Sequence, residues 1–440
     1  MAATPRQAAY RVLMRCRKAG AWSEDAINTE ITKSQLSSRD ASLCSKISMG
    51  VMQNLTLLDY YIGCYSSTPV EKLDPRVLDI LRLSAYQIIF LDKIPTSAAV
   101  NEGVKLCKEN VNPRASGLVN AVLRRIGEHQ NDLPEVPGKG TAEYLSVKYS
   151  HPQWLVAEYI AAYGYDFTKA TLEANNRQAP IHAHDNPLMG EYDLLTELEA
   201  FGAKATELPG CVELRTTAGI TETRAFKEGR VYIQDMAAKM AALTGEAKPG
   251  MTVLDACAAP GGKSIASAML MKNAGRVISC DIHEKKLRLI EENAQRLGIT
   301  IIETLAMDAR RPYEGQRGTA DLVIADVPCS GLGVIRRKPE IRWKKQAELD
   351  KLPGIQSDIL EGLAPCVKPG GVLLYSTCTV RSRENEEMVT AFLGKHPEFT
   401  AESFELPCGI GEVENGMITL WPHIHGTDGF FICKMRRRYD

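Results

Sequence analysis

Apolar positions in the first 130 residues follow helical spacing. Between Asp74 and Leu91 they fall at Val77, Ile80, Leu81, Ala85 and Ile88, flanked by Leu78, Ile89 and Phe90. That is one wide face of an amphipathic helix. Asp74-Pro75 supplies a cap followed by a proline in the first turn. Pro5 opens a second helix with Ala9, Val12, Leu13 and Cys16 on one side. Further helices are predicted from about Asp40 to Ile62, from Pro95, and after Pro113. Short amphipathic helices of this kind stack into a bundle with its own core.

The pattern then changes twice. Residues 128–142 are polar and rich in proline and glycine, so 131–142 is predicted to be a linker between a helical domain, 1–130, and the rest of the chain. Residues 143–235 mix a helical stretch at Trp154–Tyr163 with short strand-like runs at Cys211–Arg215 and Arg230–Ile233, which predicts a small α+β subdomain. Residues 236–440 alternate strand and helix. Strand runs fall at Thr252–Ala256, Arg276–Asp281, Thr300–Ala306, Asp321–Asp326 and Gly371–Thr377, and a helical pattern at 283–297 carries Leu287, Ile290 and Leu297. Such alternation predicts a mostly parallel sheet. The fold class expected is multidomain, α followed by α/β.

Composition narrows the class. At 440 residues, 44% hydrophobic and 24% charged, the chain reads as a soluble multidomain protein. No apolar run approaches the roughly 18 residues that span a bilayer. The start, Met1-Ala2-Ala3-Thr4-Pro5-Arg6, lacks the apolar core of a secretory signal. Twelve scattered cysteines form no CxxC pair and no zinc-spaced cluster, so reduced thiols, a cytoplasmic location and no metal are expected. Net charge is −1, but residues 336–345 carry six basic side chains in ten, with a tryptophan among them. Arg336, Arg337, Lys338, Arg342 and Trp343 have the mix expected of a phosphate-contacting, base-stacking segment. A solvated loop with one packing tryptophan explains the same composition.

Chemistry concentrates at strand ends. Thr252–Asp255 leads into Ala256-Cys257-Ala258-Ala259-Pro260-Gly261-Gly262-Lys263-Ser264, where small residues let a ligand approach the backbone. The turn is not G-x-G-x-x-G. It is not a phosphate-binding loop either, because Cys257 stands where the first glycine of GxxxxGK[ST] belongs. Asp281 follows the second strand and Asp308 the third. A carboxylate after the second strand accepts ribose hydroxyls. One after the third is placed for an adenine amine. An adenosine group without a pyrophosphate suits S-adenosylmethionine better than a dinucleotide. Two cysteines, Cys329 and Cys378, end the next two strand runs and are expected at the same crevice, outside the carboxyl ends of the strands. Thiols beside a cofactor cleft suggest covalent chemistry, although a lone cysteine is more commonly a buried, inert one. Cys257 and Cys280 read as packing residues.

Asp255–Ser264, Asp326-Val327-Pro328-Cys329 and Ser376-Thr377-Cys378 together resemble the RNA cytosine-5 methyltransferases, and within them the Sun/Fmu (RsmB) branch that acts on small-subunit ribosomal RNA. The helical front is similar to the RNA-binding domain of the antitermination factor NusB. Val231–Asp235 and His425–Phe431 fit the same branch. One departure is visible: the family has Arg-x-Asn where this chain reads His184-Asp185-Asn186.

The resemblance implies a NusB-like bundle, a small RRM-like subdomain and a Rossmann-like methyltransferase domain. It implies that Cys257, Ala258, Ala259, Pro260, Gly261, Gly262 and Lys263 wrap the methionine part of S-adenosylmethionine. Asp281 would hold the ribose, Asp308 the adenine side, and Asp326 would lie between cofactor and target base. Both thiols lie at strand ends, so sequence pattern leaves open which one attacks; the resemblance makes Cys378 the nucleophile and Cys329 the residue of product release. A thiol of ordinary pKa is only ~3% ionised at pH 7, so a nearby cation such as Lys263 is expected to favour the thiolate. The substrate implied is 16S ribosomal RNA, the enzyme a monomer. The competing readings are the same chemistry on transfer RNA and a non-catalytic RNA-binding assembly factor.

Overall fold

The computed structural model describes residues 3–19, 22–312 and 314–439. Met1 and Ala2, at the start read above for a signal, lie outside them. The chain divides into two compact units. One holds residues 1–177 together with 335–344, and the other 178–334 together with 345–440.

Among the described residues, the first unit is built of ten α-helices, beginning with Pro5–Ala19 and ending with Tyr165–Asn175. The Asp74 helix runs Pro75–Phe90, and Asp74 Oδ1 accepts the Arg76 N–H at 2.8 Å. Its predicted face is buried in a core shared with Ala9, Val12 and Val122. The single helix expected from Asp40 to Ile62 is two, Ser38–Gln53 and Leu55–Tyr65. Asn54 separates them, its side chain donating to Gly50 O. The polar linker is not free. Tyr60 OH donates to Glu135 O, and Val136 is buried against Leu57 and Tyr61. The helices Ala142–Tyr149, Gln153–Tyr163 and Tyr165–Asn175 belong to this unit, so the contact boundary at 177 falls inside the 143–235 segment expected as one subdomain.

The second unit starts with a small antiparallel sheet. Its strands are β1 (Ile181–Asp185), β2 (Lys204–Ala205), β3 (Cys211–Leu214) and β4 (Val231–Ile233), in the order β2-β3-β1-β4. The large sheet takes β5 (Thr252–Asp255), β6 (Arg276–Asp281), β7 (Ile302–Ala306), β8 (Ala320–Asp326) and β9 (Val367–Thr377). After β10 (Phe399–Ala401), β11 (Phe404–Leu406) and β12 (Gly411–Val413) form a separate hairpin. β13 (Met417–Leu420) and β14 (Phe430–Arg437) return to the large sheet. Its order is β10-β14-β9-β8-β5-β6-β7, with β7 through β9 parallel and β14 antiparallel to β9. Of the parallel strands, β5, β6, β8 and β9 are buried on both faces, as their continuous apolar runs require, while β7 at the sheet edge is only partly covered. Sequence direction reverses between β5 and β8, which makes the crevice beyond Asp255 and Asp326 the topological switch point. The antiparallel β14 escapes a strand–helix reading because a hairpin partner, not a crossover helix, precedes it.

Candidate active site

The turn after β5 is shaped by close packing. Ala258 N–H donates to Cys280 O at 2.7 Å, which ties the turn to β6. Gly261 has φ +104°, and a Cβ there would press on Ile290 at 3.2 Å. The helix Gly262–Leu270 starts immediately after. Behind it Asp255 is fully buried, with Oδ2 accepting from Ser264 Oγ, which accepts from Ser279 Oγ, each at 2.7 Å. Burial pushes the Asp255 carboxyl up to about 6, against the Ser264 hydrogen bond.

At the end of β8, Asp326 is held from two sides. Lys263 Nζ donates to Oδ2 at 2.7 Å and Ser376 Oγ to Oδ1 at 2.8 Å. Lys263 is buried and its ammonium also sits 5.0 Å over the Phe430 ring. The cation expected beside a thiol is therefore committed to a carboxylate.

The two thiols meet. Cys329 Sγ and Cys378 Sγ are 3.1 Å apart, and both are free. The Cys378 sulfur, followed by burial, pushes the Cys329 thiol well up. Cys329 thus keeps its proton more firmly than an ordinary thiol, and the two sulfurs share a hydrogen bond in which either can be the donor. The loops carrying them are cross-tied by buried groups that local sequence does not single out. Ser330 N–H and Gln356 Nε2 donate to Glu384 Oε2 at 2.9 and 3.0 Å, and Ser330 Oγ and Thr379 Oγ1 pair at 2.7 Å. Thr377 Oγ1 donates to Asn385 Oδ1 at 2.7 Å. Cys378 O accepts the Gly333 N–H at 3.0 Å, and Gly333 O accepts the Gly429 N–H at 2.9 Å.

The other expected site residues divide. Asp281 is buried at the end of β6, with Oδ1 accepting His283 N–H at 2.8 Å. Asp308 lies beyond β7 with both oxygens on the Arg310 guanidinium, which holds its carboxyl below the usual range. Cys257 has its thiol pushed up by burial and by the surrounding carboxylates, the state of a packing residue. Of the basic stretch, Arg342 is fully buried in the first unit. Its Nη1 donates to Gln53 O, Ser150 O and Asn176 Oδ1 at 3.0, 2.9 and 2.9 Å. Arg336 is buried as well. These two arginines are structural, which corrects their expected phosphate contact. Lys338 and Trp343 are exposed and Arg337 is half-buried. His184, where the family has arginine, is buried on β1 with Nε2 at 3.0 Å from Gln234 O, and burial takes its imidazole down to about 3.

The arrangement fits an adenosyl sulfonium cofactor. A small-residue turn and a helix start flank the switch point, carboxylates end β6 and β8, and Lys263, the basic side chain of the turn, is occupied by Asp326 rather than free for phosphate. Sheet order and site together define a Rossmann-like methyltransferase domain.

The family model described as 16S rRNA methyltransferase RsmB/F matches residues 242–436. The NusB family matches 3–128, and the ferredoxin-like domain of RsmF/B-like methyltransferases matches 151–220. A probable ribosomal RNA small subunit methyltransferase B of Bacillus subtilis (strain 168) is 38% identical over 98% of this chain and 98% of its own. The crystal structure of PH0851 superposes with a TM-score of 0.81 at 27% identity, covering 99% of this chain and 100% of that one. A methyltransferase homolog from Pyrococcus horikoshii covers 67% of this chain and 97% of its own at 27% identity, with a TM-score of 0.58. The chain belongs to the ribosomal RNA small subunit methyltransferase B family.

Proposed function

We propose that the protein methylates carbon 5 of a cytosine in 16S ribosomal RNA through a covalent cysteine–cytosine adduct, using S-adenosylmethionine. The observation that carries the reading is the 3.1 Å contact between Cys329 and Cys378 at the ends of adjacent parallel strands, beside Asp326. S-adenosylmethionine, when bound, supplies an electrophilic methyl group. The turn 257–263 and Asp281 would hold it, and Asp308 would reach its adenine after releasing Arg310.

Carbon 5 of cytosine is a poor nucleophile. Cys378, its thiol proton released to solvent, adds to carbon 6 and forms a carbon–sulfur bond; the displaced ring electrons move onto N3, which takes a proton relayed from solvent through Asp326. Carbon 5 is then enamine-like and accepts the methyl group. A base, with water as the acceptor, then removes the carbon 5 proton, the ring double bond re-forms, the Cys378 sulfur leaves as a thiolate, and N3 returns its proton to solvent through Asp326. A covalent intermediate thus divides one hard step into easier ones. Cys329, protonated and in contact with that sulfur, donates a hydrogen bond to it as it leaves. Lys263 and Ser376 fix the Asp326 carboxylate so that it does not rotate away from the ring.

The test is methyl transfer from labelled S-adenosylmethionine to purified small-subunit ribosomal RNA and to transfer RNA, side by side. Label in ribosomal RNA as 5-methylcytosine, abolished in Cys378→Ala, is expected. Label in transfer RNA alone contradicts the substrate, and undiminished label in Cys378→Ala contradicts the chemistry.

A further inference from the structure

The first unit contains a cavity of about 430 Å³ to which the catalytic chemistry gives no role. Its floor is apolar, made by Leu13, Val51, Met52 and Leu55. Two tryptophans line it, Trp22 and Trp343, and they are among the few large apolar side chains left exposed, at 42% and 36%. Exposed indole at a cavity mouth is costly in water unless something covers it.

Charge around it is arranged to meet an anion beside a π-face. Lys344 Nζ lies 4.8 Å from the centre of the Trp22 ring and Lys338 Nζ lies 5.4 Å from it. The indole thus holds two ammonium groups at the rim. Arg17 and Arg82 also line the cavity, but both are paired with Asp79. The lysines are the cations left for a ligand. Trp343 Nε1 donates to Met52 O at 3.4 Å, which fixes the ring plane. Glu340 completes the lining. Ser23 N–H donates to its Oε1 at 2.9 Å, while Oε2 is buried with no hydrogen-bond partner among the described residues. A buried carboxylate oxygen without a donor is a demand for one.

Flat aromatic surface, two rim cations and one unmet acceptor specify a flat heterocycle that carries N–H groups and is flanked by phosphates. We propose that this cavity binds an unpaired nucleotide of the RNA substrate, its base stacked on Trp343 with an N–H donated to Glu340 Oε2, its phosphates on Lys338 and Lys344. The inference rests on the proposed RNA substrate and adds a second, non-catalytic contact to it. It also gives Lys338 and Trp343 a role that the buried Arg336 and Arg342 of the same stretch cannot share. An apolar peptide would use the floor but leave the lysines unmatched.

The experiment is binding of protein-free 16S ribosomal RNA by the full-length chain across a salt series, with methyl transfer by the wild type measured on the same RNA. Trp343→Ala should weaken binding about tenfold, the scale of one lost base-stacking contact, and Trp343→Phe should recover most of it. Lys338→Gln with Lys344→Gln, changes at the cavity rim, should flatten the slope of log affinity against log salt by about 1.4, as two single-strand phosphate contacts require. Wild-type affinity and slope in all of these variants overturn the cavity while the wild type still methylates. Variants impaired only on protein-bearing subunits, and not on naked RNA, assign the cavity to a protein and overturn it equally. A wild type that binds and methylates no RNA overturns the proposed function first and this inference with it.

Discussion

Asp255 and Asp326 end adjacent parallel strands, yet their surroundings set them different tasks. Asp326 is half-buried with a cation and a hydroxyl on its two oxygens. Asp255 is sealed behind the cofactor turn, hydrogen-bonded by Ser264 and with no cation of the described residues on either oxygen. Its folded-state pKa of about 6 lies above the ordinary 3.8, so the native state holds the proton more tightly than the unfolded chain does. The stability from this group is fully present below about pH 3.8 and is lost as pH rises through about 6. The difference in unfolding free energy between wild type and Asp255→Asn, measured in urea, should therefore fall across that window; a rise contradicts the assignment. The same scale explains how the sulfurs differ. The Cys329 thiol is pushed up by the Cys378 sulfur and by burial, so it gives up its proton less readily than an ordinary thiol.

At the scale of elements, the thiols stay together because three loops cross where side chains are absent. Gly429 N–H donates to Gly333 O, and Gly333 N–H donates to the Cys378 carbonyl. A Cβ on Gly333 would collide with the Gly429 carbonyl oxygen and sit 2.9 Å from Cys378 O. Neither is a flexible side chain that yields. Gly333→Ala should thus cost about 3 kcal/mol or more of stability, the range of backbone-clash substitutions, and lower methyl transfer in the molecules that remain folded. An unchanged urea midpoint with full activity contradicts the crossing. Much of this level is legible in the sequence. The Asp74 helix, the parallel strands and the glycine turn all announce themselves through periodicity and caps. What escapes is what depends on distant partners. The helix Ser23–Ser34 buries only a few small or polar residues besides Ile27, so its pattern is thin. Glu384, Gln356 and Asn385 are polar residues whose buried positions beside the thiol loops come only from tertiary contact. Lys263 reads as a cation near a thiol, and only the fold sends it to Asp326.

Across the whole molecule, the basic stretch 336–345 shows why charge along a chain is an incomplete guide. It follows Cys329 closely in sequence, yet all of it but Lys345, residues 336–344, belongs to the helical unit. There Arg342 is among the largest fully buried side chains, a cation even though burial takes its guanidinium down to about 9. Arg342→Met removes the donor to Gln53 O, Ser150 O and Asn176 Oδ1 and leaves those acceptors buried. It should destabilise the helical unit by about 3 kcal/mol, read as a lower urea midpoint; an unchanged midpoint contradicts a structural role. The central claim concerns the other unit, and trapping tests it most directly. RNA incubated with Cys329→Ala and S-adenosylmethionine should yield a slow band on a denaturing gel, a protein–RNA adduct that Cys378 forms and cannot release. Cys378→Ala should give none. A band from Cys378→Ala and none from Cys329→Ala would reverse the two roles, and no band from either, with methyl transfer intact, would contradict covalent catalysis by this pair.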